Sequence, residues 1–359
     1  MGKILIGVDV GRENVKVFGD HGYSSVYPTV AANFSRSSFV NNAEDAPKDK
    51  YSYRFDDGRE RLVFGKDVLD FFCDGDIIAV SEDEEFLRLS AYHILKECFE
   101  ACEDGDEIDL GTCFTYANKS LAKTILGSTI PGKHMVTMYD FAGNVVSTKS
   151  FTITRMVPFF QGASGFYDYV TDESGFILPN STVVKDNVLT VDFGGHTIDL
   201  NHIRNCNLVP IKQATITHGV GFAFREVSKI LQTQYHYSMN ARVVSERIIS
   251  GRHIVPDPKS GTSIDLQEIA SRCILESGTR IKNDIEDFRA GESFQHVIAM
   301  GGAVALYKEL LRSLYAGVVF IDGTMMANAR GMWKYLNAER ITVGRAYTNR
   351  SHVMSDNGK

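Results

Sequence analysis

No apolar run in this 359-residue chain approaches the roughly 20 residues that cross a bilayer, so no membrane-spanning helix is expected. A basic excess is missing too. Lys and Arg number 38 against 45 Asp and Glu, and the net charge of −7 argues against a broad nucleic-acid surface, leaving any link to DNA to a partner. The six cysteines (Cys73, Cys98, Cys102, Cys113, Cys206, Cys273) show no Cys-x-x-Cys spacing and no nearby paired His. Cys98 and Cys102, one helical turn apart, are expected as two small apolar residues on one face. Met1-Gly2-Lys3 runs straight into an apolar stretch with no signal peptide, so reduced thiols and a cytoplasmic location are expected. No low-complexity segment precedes the polar tail 348–359, which lacks the apolar periodicity of an amphipathic membrane anchor, and no membrane partner is expected.

With 43% hydrophobic and 23% charged residues the composition is that of a globular protein, and the length favours two domains over one core. The acidic clusters 81–85 and 103–107 bracket a probable helix and read as a solvated face or as N-terminal helix charge. The stretch around which the chain is organised is Val191-Asp192-Phe193-Gly194-Gly195-His196-Thr197-Ile198-Asp199-Leu200, an apolar strand, a Gly turn and a second strand. It has an echo at Val8-Asp9-Val10-Gly11-Arg12-Glu13-Asn14-Val15-Lys16-Val17, at a constant offset of 192 − 9 = 183 residues. One Asp-x-Gly turn is ordinary punctuation. Two, half a chain apart, suggest duplicated domains. They also suit phosphate gripping, since small residues let successive backbone N–H groups form an anion nest and each Asp ends an apolar strand, where it must face a cation or water.

Between and after these hairpins the pattern alternates strand and helix. Positions 23–65 read as short strands around turns, a small inserted β-rich subdomain; 84–102 have helical spacing; 108–115 read as a strand leading to a helix from Lys119. Strands are expected at 135–140 and 145–157, with Gln161-Gly162-Ala163 before a helix from about Gly165. The second half repeats the scheme, with Gly219-Val220-Gly221 opening a helix, further helices at 241–249 and 266–288, and the buried strand 297–300 running into Gly301-Gly302-Ala303. This order fits an α/β layer architecture.

Four motifs in fixed order, Asp9-Val10-Gly11 with Lys16, Gln161-Gly162, Asp192-Phe193-Gly194-Gly195-His196-Thr197 and Met300-Gly301-Gly302-Ala303, resemble the actin-like ATPase superfamily. The runs Phe151 to Arg155, His218-Gly219-Val220-Gly221 and Ala327-Asn328-Ala329-Arg330-Gly331 look most like ParM-type plasmid-segregation actins and archaeal actin-like proteins. The resemblance implies an α/β, two-domain, duplicated ribonuclease-H-like fold with a nucleotide cleft between the domains. It implies one domain of 1–163 and 328–359, including the subdomain at about 23–65, and another of 164–327. It assigns Asp9 and Asp192 to water-mediated Mg²⁺ binding, and Gly11, Arg12, Glu13 and Asn14, with Gly194, Gly195, His196 and Thr197, to two phosphate loops. Lys16 would reach the β- or γ-phosphate, and Gly219 the ribose or phosphates. Gly301, Gly302 and Ala303 would lie against the nucleoside, and Glu246 near the base.

In the same resemblance Gln161 positions the attacking water; the plainer alternative is that it caps the helix that follows. His196 could likewise touch the γ-phosphate or only satisfy its turn. Two departures from the family pattern stand out: Phe160 where Pro usually precedes the Gln, and the bulky pair Arg12 and Glu13 in the first loop. The implied function is a cytoplasmic ATP or GTP hydrolase that forms filaments with nucleotide bound, disassembles after hydrolysis and segregates plasmid DNA through a small ParR-type DNA-binding adaptor. A sugar or carboxylate kinase would need a catalytic Asp and a polar sugar-binding cluster that is not recognisable between Asp9 and Gln161. A regulatory or chaperone ATPase would normally carry an extra substrate domain.

Overall fold

The computed structural model describes residues 2–36, 47, 49–56, 58, 60–78, 80, 82–217, 219–257 and 260–356. The chain divides into two compact units, Met1–Ser181 with Met326–Lys359, and Thr182–Met325.

In the first unit β1 (Lys3–Val10) is buried at every position after Lys3. That pattern belongs to a strand covered on both faces. β2 (Asn14–Gly19) alternates buried and half-buried positions, as a strand nearer a sheet edge does. There follow β3 (Ser24–Pro28), β4 (Ala31–Asn33), β5 (Tyr51–Phe55), β6 (Leu62–Phe64), α1 (Lys66–Phe71), α2 (Asp83–Ala101), β7 (Glu107–Phe114), α3 (Lys119–Thr129), β8 (Gly132–Asp140), β9 (Val145–Phe160) and α4 (Ala163–Val170). One nine-stranded sheet takes the order β3-β2-β1-β7-β9-β8-β5-β6-β4. The strands β3 to β6 therefore extend a common sheet. The long β8–β9 hairpin carries the sheet outward from β7, and β5 pairs along β8 from Tyr51↔Asp140 to Phe55↔Val136. Positions 37–46 of that stretch lie outside the described residues.

The second unit contains β10 (Asn187–Phe193), β11 (Ile198–Arg204), β12 (Asn207–Ile216), α5 (Val220–Gln234), α6 (Ala241–Ile249), β13 (Ile254–Pro256), β14 (Ser263–Asp265), α7 (Leu266–Arg289), β15 (His296–Met300), α8 (Lys308–Leu314) and β16 (Val319–Phe320). Its main sheet runs β12-β11-β10-β15-β16. The duplication read from two turns thus extends to five strands, for β3-β2-β1-β7-β9 has the same succession of antiparallel and then parallel pairs. Even the register is common. Asp9↔Lys16 and Val10↔Val15 become Asp192↔Asp199 and Phe193↔Ile198 when the 183-residue offset is added.

The chain then returns to the first unit as α9 (Ala327–Asp356). Here α4 and the residues up to Ser181 belong with α9, beyond the break expected after position 163. The reason is a close helix contact centred on Gly331, where a Cβ would lie 1.8 Å from the Ser164 carbonyl oxygen. Beside it Asp168, 3% exposed, is paired with Arg330 Nη2 at 2.7 Å and Lys334 Nζ at 3.0 Å. Breaking a buried cluster of this kind by removing one partner typically costs about 3–5 kcal/mol. Among the described residues no helix is long and apolar enough to cross a membrane.

The helical spacing of 84–102 is realised as α2, opened by a capping box between Glu82 and Glu85 with Asp83, Glu84 and Glu85 in the first turn. Acidic residues are favoured there by the helix dipole. Its inward face also buries His93 and Glu97 completely. Glu97 accepts from Tyr23 Oη and from Lys96 Nζ, both at 2.7 Å, and His93 Nδ1 lies 3.2 Å from Tyr27 Oη. Burial, aided by the Lys96 charge, pushes the His93 imidazole down to about 3 from an ordinary 6.5. Below pH 6.5 the unfolded chain therefore takes up a proton that the folded chain refuses, and stability is lost as pH falls. Urea denaturation should show this residue contributing a loss of about 1.4 kcal/mol per pH unit between pH 6 and 4, and His93→Gln should flatten that slope.

Candidate functional site

Each unit presents its site where an apolar strand ends in an Asp. In the first, Asp9 is 2% exposed near the end of β1. A carboxylate so placed needs partners. Lys16 Nζ, across the hairpin, lies 3.1 Å from Oδ2, and Gln161 Nε2 donates to Oδ1 at 3.2 Å. The turn itself closes with Gly11 N donating to Asn14 O at 3.1 Å. From behind, the Thr29 hydroxyl donates to Gly11 O at 2.6 Å and the Thr29 amide to Glu13 O at 3.0 Å.

Those two bonds orient the turn. In a trans peptide the carbonyl of one residue and the N–H of the next point in opposite directions. Holding the Gly11 and Glu13 carbonyls toward Thr29 therefore turns the amides of Arg12 and Asn14 the other way, toward the side of the turn opposite Thr29. The side chain of Arg12 bonds Asp83 and lies 4.7 Å from the Phe86 ring centroid, so its bulk is drawn to α2.

The second unit uses the same device with different parts. Gly194 N donates to Thr197 O at 2.9 Å to close the turn. The carbonyls of Gly195 and His196 are held by the amides of Gly221 at 2.6 Å and Gly219 at 3.1 Å, at the start of α5. The amides of His196 and Thr197 consequently point away from α5. Asp192, 6% exposed, is the last residue but one of β10, and Gly301 sits directly on it. Gly301 has φ +97, and a Cβ there would be 2.4 Å from Asp192 Oδ1 and from Phe193 O. Ala303 N donates to Phe193 O at 3.1 Å, which holds the Gly301-Gly302-Ala303 segment onto the end of β10.

The structure therefore brings Asp9, Gly11 to Asn14, Lys16 and Gln161 together in one unit, and Asp192, Gly194 to Thr197, Gly219 and Gly301 to Ala303 in the other. Glu246 is not drawn into either turn. It is exposed on α6 and ion-paired with Arg242 at 3.2 Å. His218 lies outside the described residues. The Gln161 side chain reaches Asp9, its Nε2 donating to Oδ1 at 3.2 Å.

Two residues with a part in the site carried no role in the sequence. Thr29 follows the last residue of β3, Pro28, and its only signal was its polar character beside that proline. Asn328 stood in a family-like motif, yet nothing local says that its amide reaches both Asp9 and the 162–165 turn.

The buried carboxylates of Asp9 and Asp192 are hard oxygen donors beside backbone cradles, which suits Mg²⁺. Among the described residues no group of three or more His, Cys, Asp or Glu could hold a metal. Mg²⁺ is typically bound by one or two carboxylates plus substrate phosphates, and the single carboxylate that each unit sets beside its turn fits that mode.

Residues 7–163 match the family described as the actin-like proteins N-terminal domain. No curated protein sequence matches the chain. Among solved structures, the archaeal actin homolog Ta0583 superposes with a TM-score of 0.73 at 18% identity, over 94% of this chain and 99% of that one. ParM of Bacillus thuringiensis, solved with ATP, gives 0.67 at 14% identity over 95% and 100% of the two chains. The Alp12 filament structure gives 0.61 at 14% identity over 95% and 100%.

The cradle on Asp192 makes a local prediction. Gly301→Ala forces a side chain into a left-handed conformation and against a carboxylate, and should destabilise the chain by about 1–3 kcal/mol in urea denaturation. Gly302→Ala, whose Cβ would meet only the flexible Met325 side chain at 3.6 Å, should change stability by no more than about 0.5 kcal/mol.

Proposed function

We infer that this chain, whose fold is that of the actin-like superfamily, is a Mg²⁺-dependent nucleoside-triphosphate hydrolase that assembles with its own copies when nucleotide is bound and comes apart after hydrolysis. The observation that carries this reading is the repeated hairpin, two Asp-Gly turns of identical register, each with two carbonyls tied back so that the two amides that follow them are turned the other way. Two such nests are suited to a polyphosphate, and Lys16 supplies a point charge to the first. The ATP in the Bacillus thuringiensis ParM structure and the filament in the Alp12 structure support a nucleotide ligand and self-assembly.

In the chemistry proposed, water attacks the γ-phosphorus in line, the bond to the β–γ bridging oxygen breaks, the diphosphate leaves with that oxygen, and of the water's two protons one stays on the phosphate and the other passes to solvent. Gln161 would orient the water; the anchoring of its Nε2 on Asp9 supports this, since the carbonyl end of the same amide can accept from the nucleophile. Asp9 and Asp192 would hold Mg²⁺ through its waters; bound there, the ion supplies neutralisation of phosphate charge. A small DNA-binding adaptor of the ParR type would connect the filament to plasmid DNA, since the chain's own net charge of −7 disfavours direct contact.

Right-angle light scattering with MgATP or MgGTP, read beside phosphate release, tests the reading. Scattering should rise on nucleotide addition and decay as phosphate appears, and Asp192→Ala should abolish both signals. Gln161→Ala should slow phosphate release roughly 100-fold and prolong the scattering plateau. Flat scattering over a wide protein concentration with phosphate still released would sink the filament and favour a kinase or a regulatory ATPase.

A further inference from the structure

Asn328 is 6% exposed at the start of α9, a position 319 residues from Asp9 in the chain and in contact with it. Its Oδ1 accepts three bonds, from Gly162 N at 3.0 Å, Ser164 Oγ at 2.9 Å and Gly165 N at 3.2 Å. Its Nδ2 faces Asp9 Oδ2 at 3.5 Å. The neighbours fix which end of the amide is which. A flipped amide would set its NH₂ against two backbone N–H donors and its oxygen against a carboxylate.

The three accepted bonds cap α4 from another element, since the Gly162 N-cap has no side chain to do so. They also hold the residue next to Gln161. Gln161 itself is fixed at its backbone by a 3.2 Å bond from its N–H to Phe114 O, and at its side chain by Asp9. Asn328 thus ties together the two ends of one assembly, the Gly162 turn that follows Gln161 and the carboxylate on which the Gln161 amide rests.

We propose that Asn328 is a positioning residue for hydrolysis, setting the Gln161 amide in register with Asp9 through the Gly162 turn. The proposal rests on the reading of Gln161 as the water-orienting group. It touches no phosphate in this role. Its loss displaces Gln161 and lowers turnover, while the phosphate nests, which are tied by Thr29 and by α5, keep their geometry.

The test is steady-state phosphate release by the full chain, with kcat and KM measured for Asn328→Ala, Gln161→Ala, the double variant and Asn328→Asp. Asn328→Ala should lower kcat about tenfold with KM within about threefold of wild type. In the Gln161→Ala background the same change should add almost nothing, because both act through one amide. Asn328→Asp keeps the acceptor for the α4 cap and removes only the amide that faces Asp9. It should therefore fold as wild type does and still lower kcat with KM little changed, a split that loosened packing would not give.

If Gln161→Ala slows hydrolysis while Asn328→Ala does not, or if the two effects simply multiply, the positioning role is overturned and the reading of Gln161 stands. If Gln161→Ala releases phosphate at the wild-type rate, that reading fails and the proposal fails with it. Should Asn328→Ala not fold, Asn328→Asp decides alone: a lowered kcat with KM kept supports the role, and a wild-type kcat overturns it.

Discussion

A carboxylate buried at the end of an apolar strand is costly unless something answers its charge, and Asp9 is answered from three distant places in the chain. Lys16 comes from across the hairpin, Gln161 from the end of β9, and Asn328 from the start of α9. Each contact also serves a second purpose. Lys16 supplies the cation of the first turn, Gln161 ends the strand that pairs with β7, and Asn328 caps α4. Removing one partner would leave part of a buried charge unsatisfied, which costs more than the contact itself contributes. The last helix of the chain must therefore return to the first strand for the site to exist.

Under the 183-residue offset the second turn is a copy in register and not in chemistry. Asp199 stands where the first hairpin has Lys16, and its carboxylate accepts from Thr197 Oγ1 at 3.3 Å and Thr215 Oγ1 at 2.7 Å. The copy thus lacks a cation at that position. In its place the N-terminus of α5 lies directly behind the turn, bringing the positive end of a 15-residue helix. A cation at one turn and a helix dipole at the other are two ways in which an acidic chain makes a turn locally more positive.

What could be read from sequence was whatever is local. The Asp-Gly turns, the paired hairpins, the helix of 83–101 and the glycines after Met300 each announce themselves within about ten residues. The connections that make a site of them do not. Thr29 reaches Gly11 from 18 residues away, Asn328 reaches Asp9 from 319, and neither residue type is unusual where it stands. The apolar stripe of α2 concealed His93 and Glu97, because helical spacing reports which face is inward and says nothing of polar residues carried in with it. The joining of β4 to β6 onto the outer edge of the sheet depends on the length of the β8–β9 hairpin, and sheet register at that range has no sequence signal. Glu246 is exposed on α6 and paired with Arg242 one turn earlier.

The same distinction explains why Arg12 and Glu13 can depart from the family pattern without disturbing the first turn. The groups that would face an anion there are backbone amides, and their direction is set by the Thr29 bonds to the Gly11 and Glu13 carbonyls. Side chains at 12 and 13 enter only through where their bulk goes, and Arg12 is drawn aside by Asp83 and Phe86 on α2. A grip made of oriented peptide groups constrains the residues that tie the carbonyls and the glycines that admit close approach. It leaves the side chains of the turn free to vary, so the positions that look most like a binding loop in sequence carry less of its specificity than Thr29, Gly219 and Gly221 behind it.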